Sequence, residues 1–128
     1  MYSDNLKNVT GLEKIDDLKL TSDEYIIGAS AACIVLGFDA VNNDLDLCVD
    51  KKNSVVLDKI KNADDVLDFG IDENNTILNF DEYFKYSHIV GGYRFLNKEG
   101  LIKFYKTLVK FYPKEKYFVR LEWLQNIK

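Results

Sequence analysis

Proline is almost missing from this chain: Pro113 is the one instance in 128 residues. With no Ser/Gly-rich stretch and no internal repeat either, nothing marks a linker, and the length suits a single domain over residues 1–128. Cysteine is scarce too. Cys33 and Cys48 lie in apolar segments without Cys-x-x-Cys spacing, and both read as small buried hydrophobes in a reducing compartment. Arginine is limited to Arg94 and Arg120, so lysine supplies most of the positive charge. No apolar run approaches the roughly 20 residues that span a bilayer. The first residues lack a basic stretch followed by an apolar one, so no signal peptide is expected. The expectation is a cytoplasmic protein with no membrane partner, in which the Asn-x-Thr triplets at Asn8 and Asn74 carry no meaning. The formal net charge of −4 argues against a general nucleic-acid coat protein.

What is present is an ordinary globular composition, 47% hydrophobic and 30% charged. Leu6, Val9, Leu12 and Ile15 recur at helical spacing, which predicts a short opening helix that Gly11 weakens. Glu24–Gly28 reads as a short buried strand. Ala29–Gly37 is rich in alanine and free of charge, which predicts a helix buried nearly all round and closed by Gly37. Asp44–Asp50 alternates, predicting a strand with Asp44 and Asp46 on one face and Leu45, Leu47 and Val49 on the other. A helix from Asn53 or Ser54 follows. Two strands, Asp65–Ile71 and Thr76–Phe80, are expected to pair as a hairpin around the turn Asp72–Asn75.

The segment Asp81–Val90 reads as a short helix or irregular chain, and Gly91–Asn97 as a further short strand. Leu101, Ile102, Tyr105, Leu108 and Val109 form one stripe of a helix with Lys103, Lys106 and Lys110 opposite. After Pro113, expected in the first helical turn, Phe118, Leu121, Leu124 and Ile127 form the stripe of a second helix. The predicted class is α/β or α+β: a mixed sheet flanked by helices and ending in a helical pair.

Two aspartates at i and i+2 on a strand project from one face, about 7 Å apart at the backbone. Such a pair is either the solvent-facing side of an ordinary strand or a hard-oxygen site for Mg²⁺, which takes one or two carboxylates plus substrate phosphates. Upstream stand a strand, a glycine turn and a helix start, where backbone N–H groups attract phosphate.

The run Ile27-Gly28-Ala29-Ser30, followed by Asp44-Leu45-Asp46, resembles the signature of the DNA polymerase β type nucleotidyltransferase superfamily. Downstream, Glu99, Leu101 and Ile102, then Pro113, Lys114 and Glu115, resemble the helix start and break of its small bacterial and phage members of the abortive-infection or toxin–antitoxin kind. The resemblance spans most of residues 24–125. It implies a nucleotidyltransferase-like fold in which Asp44 and Asp46 are catalytic and ligate Mg²⁺ (or Mn²⁺). It further implies that Gly28 and Ser30 bind a nucleoside triphosphate, with Lys106 as the nearest counterpart of the family's helix lysine. The implied reaction transfers a nucleoside monophosphate to a protein or RNA acceptor.

The family's third carboxylate belongs on the strand Thr76–Phe80, where Leu78 or Asn79 stands instead; Asp68 and Asp81 are the available substitutes. Ala29 also replaces the family's Gly or Ser. The alternative is therefore a catalytically inactive member serving as a binding module in toxin–antitoxin or phage–host interplay. Lys98, Lys103, Lys106, Lys110, Lys114 and Lys116 are either a solvated face or a contact for triphosphate or RNA. His88 reads as a partly buried or surface histidine, and Gly91-Gly92 as a turn.

Overall fold

The computed structural model describes residues 2–71 and 79–127. In chain order these form a 3-10 helix (Tyr2–Asn8), α1 (Leu12–Asp17), β1 (Ile26–Ile27), α2 (Ala29–Val35), β2 (Leu45–Val49) and α3 (Ser54–Lys59). There follow β3 (Leu67–Ile71), α4 (Phe80–Phe84), β4 (Ser87–Val90), β5 (Tyr93–Leu96), α5 (Lys98–Phe111) and α6 (Glu115–Asn126). The architecture is the mixed α+β one expected, with a C-terminal helical pair. Among the described residues, no helix is long and apolar enough to cross a membrane.

The five strands form one sheet in the order β3-β2-β1-β5-β4. β2 runs antiparallel to β1 and parallel to β3, while β1 is parallel to β5 and β5 antiparallel to β4. Ile26, Ile27, Leu45, Leu47, Val49 and Phe95 are almost wholly excluded from solvent, as central strands covered by helices require. Gly91 and Gly92, at φ +58° and +88°, make the two-residue connection between Val90 and Tyr93. Positive φ at both central positions is the hairpin turn whose twist matches the strands.

α2 is buried from Ala31 to Leu36. Its small side chains admit close packing against the sheet, α5 and the 3-10 helix, and Gly37 at φ +112° ends it. Asn53, Asn79 and Asn97 cap α3, α4 and α5, each accepting a hydrogen bond from the backbone N–H three residues on.

Several expectations need correction. The opening helix is two pieces, because Gly11 adopts φ +99° and redirects the chain. The strand expected at Thr76–Phe80 does not extend over its end: Asn79 is the cap of α4 and Phe80 its first residue. Residues 76–78 and the turn at Asp72–Asn75 lie outside the described residues. Pro113 precedes the helix rather than opening it, since Lys114 is the cap of α6. Phe118 is 48% exposed, while Leu124 is fully buried. Tyr117 takes the inward place instead, its ring 6.1 Å from that of Tyr105 on α5. One residue along a helix is a 100° turn, so the two cannot both face inward.

Candidate functional site

The acid strand and the glycine turn are joined directly. The Gly28 N–H donates to the backbone carbonyl of Asp46 at 3.0 Å, so the start of α2 and the carboxylates of β2 share one scaffold. Asn42 fixes the approach to β2. It is the buried polar residue of the core among the described residues, 2% exposed, and exchanges two 2.8 Å hydrogen bonds with the Thr10 backbone. Its amide also donates to the Asp44 carbonyl at 3.2 Å. A buried amide is kept when its donors and acceptors are satisfied, and here three bonds hold the chain that presents Asp44.

A cavity of about 570 Å³ opens at this junction, lined by Gly28, Ala29 and Ser30 on one side and by Asp44, Asp46 and Asp68 on another. Asp68 arrives through strand pairing. β2 and β3 run parallel with Asp46 opposite Asp68, and in-register residues of adjacent strands point to the same face. Of the two substitutes considered for a third carboxylate, the fold thus brings Asp68 to the pair. Asp81 is an exposed residue in the first turn of α4, and neither it nor Asn79 lines the cavity.

The Asp46 carboxyl is pushed up to about 6. Burial is the main cause, followed by the charge of Asp68 and the hydrogen bond the two carboxyls share, then the charge of Asp44. Arg120 opposes these effects. Carboxylates crowded into partly desolvated space disfavour the ionised form until a cation compensates them. Among the described residues, no three His, Cys, Asp or Glu side chains are gathered closely enough to form a complete metal cage. The donor set nonetheless fits a hard divalent ion of the Mg²⁺ kind, which relies on one or two carboxylates and completes its shell with water and substrate phosphate.

Gly28 and Ala29 occupy conformations opposite to their residue types. Gly28 is extended, at φ −123°, and a methyl there would meet only the Leu96 Cδ1 at 3.5 Å. Neither backbone nor packing demands glycine, so its bareness serves the cavity it lines. Ala29, by contrast, sits at φ +51°, a left-handed conformation that costs a non-glycine residue about 1–2 kcal/mol. Such strain tends to collect at functional sites, where the surrounding structure enforces it.

The remaining wall comes from the C-terminal hairpin: Phe104, Tyr105 and Leu108 of α5, with Lys116, Tyr117 and Arg120 of α6. Arg120 donates to the Tyr105 hydroxyl at 3.4 Å, and that hydroxyl also accepts from the Cys33 thiol at 4.0 Å. Burial pushes the Cys33 thiol up to about 11, so it remains an inert, protonated core group. Lys106 is exposed and does not line the cavity. It lies one helical step past Tyr105, which faces inward. Of the cations that do reach the cavity, Lys116 stood among the lysines considered for triphosphate contact, whereas Arg120 escaped the sequence reading, although its i, i+4 spacing from Lys116 and the rarity of arginine were available signals. His88 and the Gly91-Gly92 turn also stand apart from the cavity. His88 Nε2 is buried with no hydrogen-bond partner among the described residues, and its ring packs edge-on to Tyr2 at 5.7 Å.

Compared with known proteins, the chain matches no family model, no curated protein and no solved structure.

Proposed function

We propose that this protein is a metal-dependent nucleotidyltransferase-like enzyme, transferring a nucleoside monophosphate from a nucleoside triphosphate to an acceptor hydroxyl. The observation that carries the reading is the parallel register of Asp46 and Asp68, which adds a third carboxylate to Asp44 and Asp46 within reach of the Gly28–Ser30 turn. Asp46, with Asp44 or Asp68, would hold the divalent ion, with water and phosphate completing its shell; when bound, it supplies charge compensation for the phosphates and lowers the pKa of the acceptor hydroxyl. The chain's own groups bind and orient. Gly28 leaves room for a phosphate, Ser30 offers a hydroxyl, and Lys116 and Arg120 bring positive charge to the opposite wall.

The test is a thermal-shift titration with each nucleoside triphosphate, with and without Mg²⁺ or Mn²⁺. Metal-dependent binding at 100 times the Kd stabilises the fold by about 2.7 kcal/mol. Asp68→Asn is expected to abolish that shift while leaving the ligand-free protein at least as stable as wild type, since it removes a charge that crowds Asp46. A shift that survives this substitution, or none with any triphosphate, refutes the reading.

The strained Ala29, together with the lack of a complete carboxylate cage among the described residues, favours a second reading: an inactive member of the same fold that acts by binding a partner. That reading predicts no turnover of any triphosphate and partner binding indifferent to Asp44→Asn and Asp46→Asn.

A further inference from the structure

Among the described residues, the one buried side-chain nitrogen or oxygen that lacks a hydrogen-bond partner is Nε2 of His88. Such atoms are normally paired or hydrated, and an orphan in a native fold calls for a physical reason. The surroundings supply one. His88 lies on β4, the last strand of the sheet, which is bonded to β5 on one side. The 3-10 helix Tyr2–Asn8 packs against β4 and against α2. The Tyr2 ring is the edge-on neighbour of the imidazole.

This covering segment is lightly held. It spans seven residues and none of them is buried, although 3-10 geometry rarely persists beyond about four residues. Tyr2 itself is 47% exposed. Leu6 rests on Gly91, where a methyl group would strike it. The Asn5 amide donates to the Val35 carbonyl at 3.0 Å, and the Val9 N–H closes onto the Leu6 carbonyl at 3.0 Å. The segment is therefore a strap tied to the last turn of α2, whose first residues wall the cavity. It runs on into Thr10, which holds Asn42 and through it the Asp44 carbonyl.

We infer that Tyr2–Asn8 is a proton-released strap: it closes over neutral His88 and lifts when the imidazole takes up a proton, freeing the end of α2 opposite the cavity. An imidazolium needs two acceptors or water, and the closed strap offers Nε2 neither. The strand beside the ring carries no other titratable side chain. On the neighbouring elements stand Tyr2, Asp4 and Lys7 of the strap, Tyr93 and Arg94 of β5, and Glu13, Lys14, Asp16 and Asp17 of α1. Tyr93 is bonded to Asp16 at 2.7 Å and Arg94 to Asp23 at 3.2 Å. Burial, rather than any of these charges, pushes the His88 imidazole down from 6.5. Above about pH 6.5, the ordinary value of a hydrated imidazole, neither form holds the proton and the strap stays closed. Below it the open form binds a proton that the closed form resists. Opening then grows by up to about tenfold per pH unit until closed His88 titrates too. The strap does not depend on what the cavity binds.

The experiment is NMR of the intact chain between about pH 8 and about pH 5.5, which brackets the histidine range. His88 is the one histidine of the sequence, so its ring signals are unambiguous. In wild type the ring is expected to titrate below its ordinary 6.5, and the cross-relaxation between the Tyr2 and His88 rings to vanish with the same midpoint. Val9 should lose amide-exchange protection by up to about tenfold per pH unit, once its intrinsic rate is divided out, while Leu47 in β2 keeps its own. Tyr2→Ala uncovers the ring and should return the His88 midpoint to about 6.5. His88→Phe keeps the ring contact without the titration, so protection at Val9 should no longer vary with pH. The proposal is overturned if wild-type His88 titrates at 6.5 or above, if Tyr2→Ala leaves its midpoint unmoved, or if Val9 loses protection equally in His88→Phe. A parallel loss at Leu47 also overturns it, because that is acid unfolding of the whole domain. Should His88→Phe fail to fold, the midpoint in Tyr2→Ala still decides.

Discussion

At the residue scale, Asp46 imposes a conflict that ligand binding would relieve. Its carboxyl stands at about 6 in the folded protein against a reference value of 3.8, so the folded state holds the proton more tightly than the unfolded one. Below about pH 3.8 both states carry the proton and the group is neutral in its effect. Between there and pH 6 stability falls as pH rises, and above pH 6 the destabilisation is complete. Allowing for solvent screening of a group only partly buried, the cost is about 1–2 kcal/mol. Asp46→Asn in EDTA should therefore raise the thermal midpoint at pH 7.5, with the gain shrinking towards pH 4. A gain independent of pH would mean that repulsion at this carboxyl is not its cause. The neighbouring turn makes a second claim. Ala29→Gly removes the left-handed strain at φ +51° and should stabilise the protein by about 0.5–1 kcal/mol in urea unfolding, net of glycine's greater unfolded-state freedom. A loss of stability would place the strain elsewhere.

Among the elements, α5 shows how a local signal and a long-range contact reinforce one another. Asn97 accepts from the Gly100 N–H at 2.9 Å, and its own N–H donates to the Tyr86 carbonyl at 2.8 Å. The helix start is thereby pinned to the chain that leads into β4. Gly100 is required for the same approach, since a methyl there would lie 2.6 Å from the Tyr86 carbonyl oxygen. Asn97→Ala keeps the backbone bond and loses the cap, so it should cost about 1 kcal/mol in a urea denaturation series. Preservation of full stability would show that the Tyr86 contact alone sets the helix start.

For the whole molecule, the site depends on how the C-terminal hairpin docks. Leu124 has no solvent exposure, and it anchors the helix that carries Lys116, Tyr117 and Arg120 to the cavity. Leu124→Ala should lower stability by about 2–5 kcal/mol, the range for emptied leucine sites in packed cores. It should weaken triphosphate binding as well, although Leu124 touches none of the cavity. Binding measured at a temperature where the variant is still folded checks this. An unchanged Kd would show that α6 contributes nothing to the ligand.

The sequence by itself determined the local pieces. Alternation at Asp44–Val49, the uncharged run Ala29–Val35, the Asn53 helix start and the stripe Leu101–Leu108 are governed by neighbours within a few residues, and each is found where its pattern puts it. The pairing of Gly28 with Asp44 and Asp46 was also legible, because one short connection separates them. What only the tertiary structure decided depends on distant partners. Nothing local tells that β3 pairs parallel to β2 with Asp68 opposite Asp46, because register is fixed by which strand faces match across the core. Asn42 looks like an ordinary loop residue until Thr10, over thirty positions earlier, closes its hydrogen bonds. Whether Tyr117 or Phe118 turns inward, and hence whether Arg120 lines the cavity, follows from the seating of α6 on α5. That is a matter of packing, and packing is settled only when both surfaces are present.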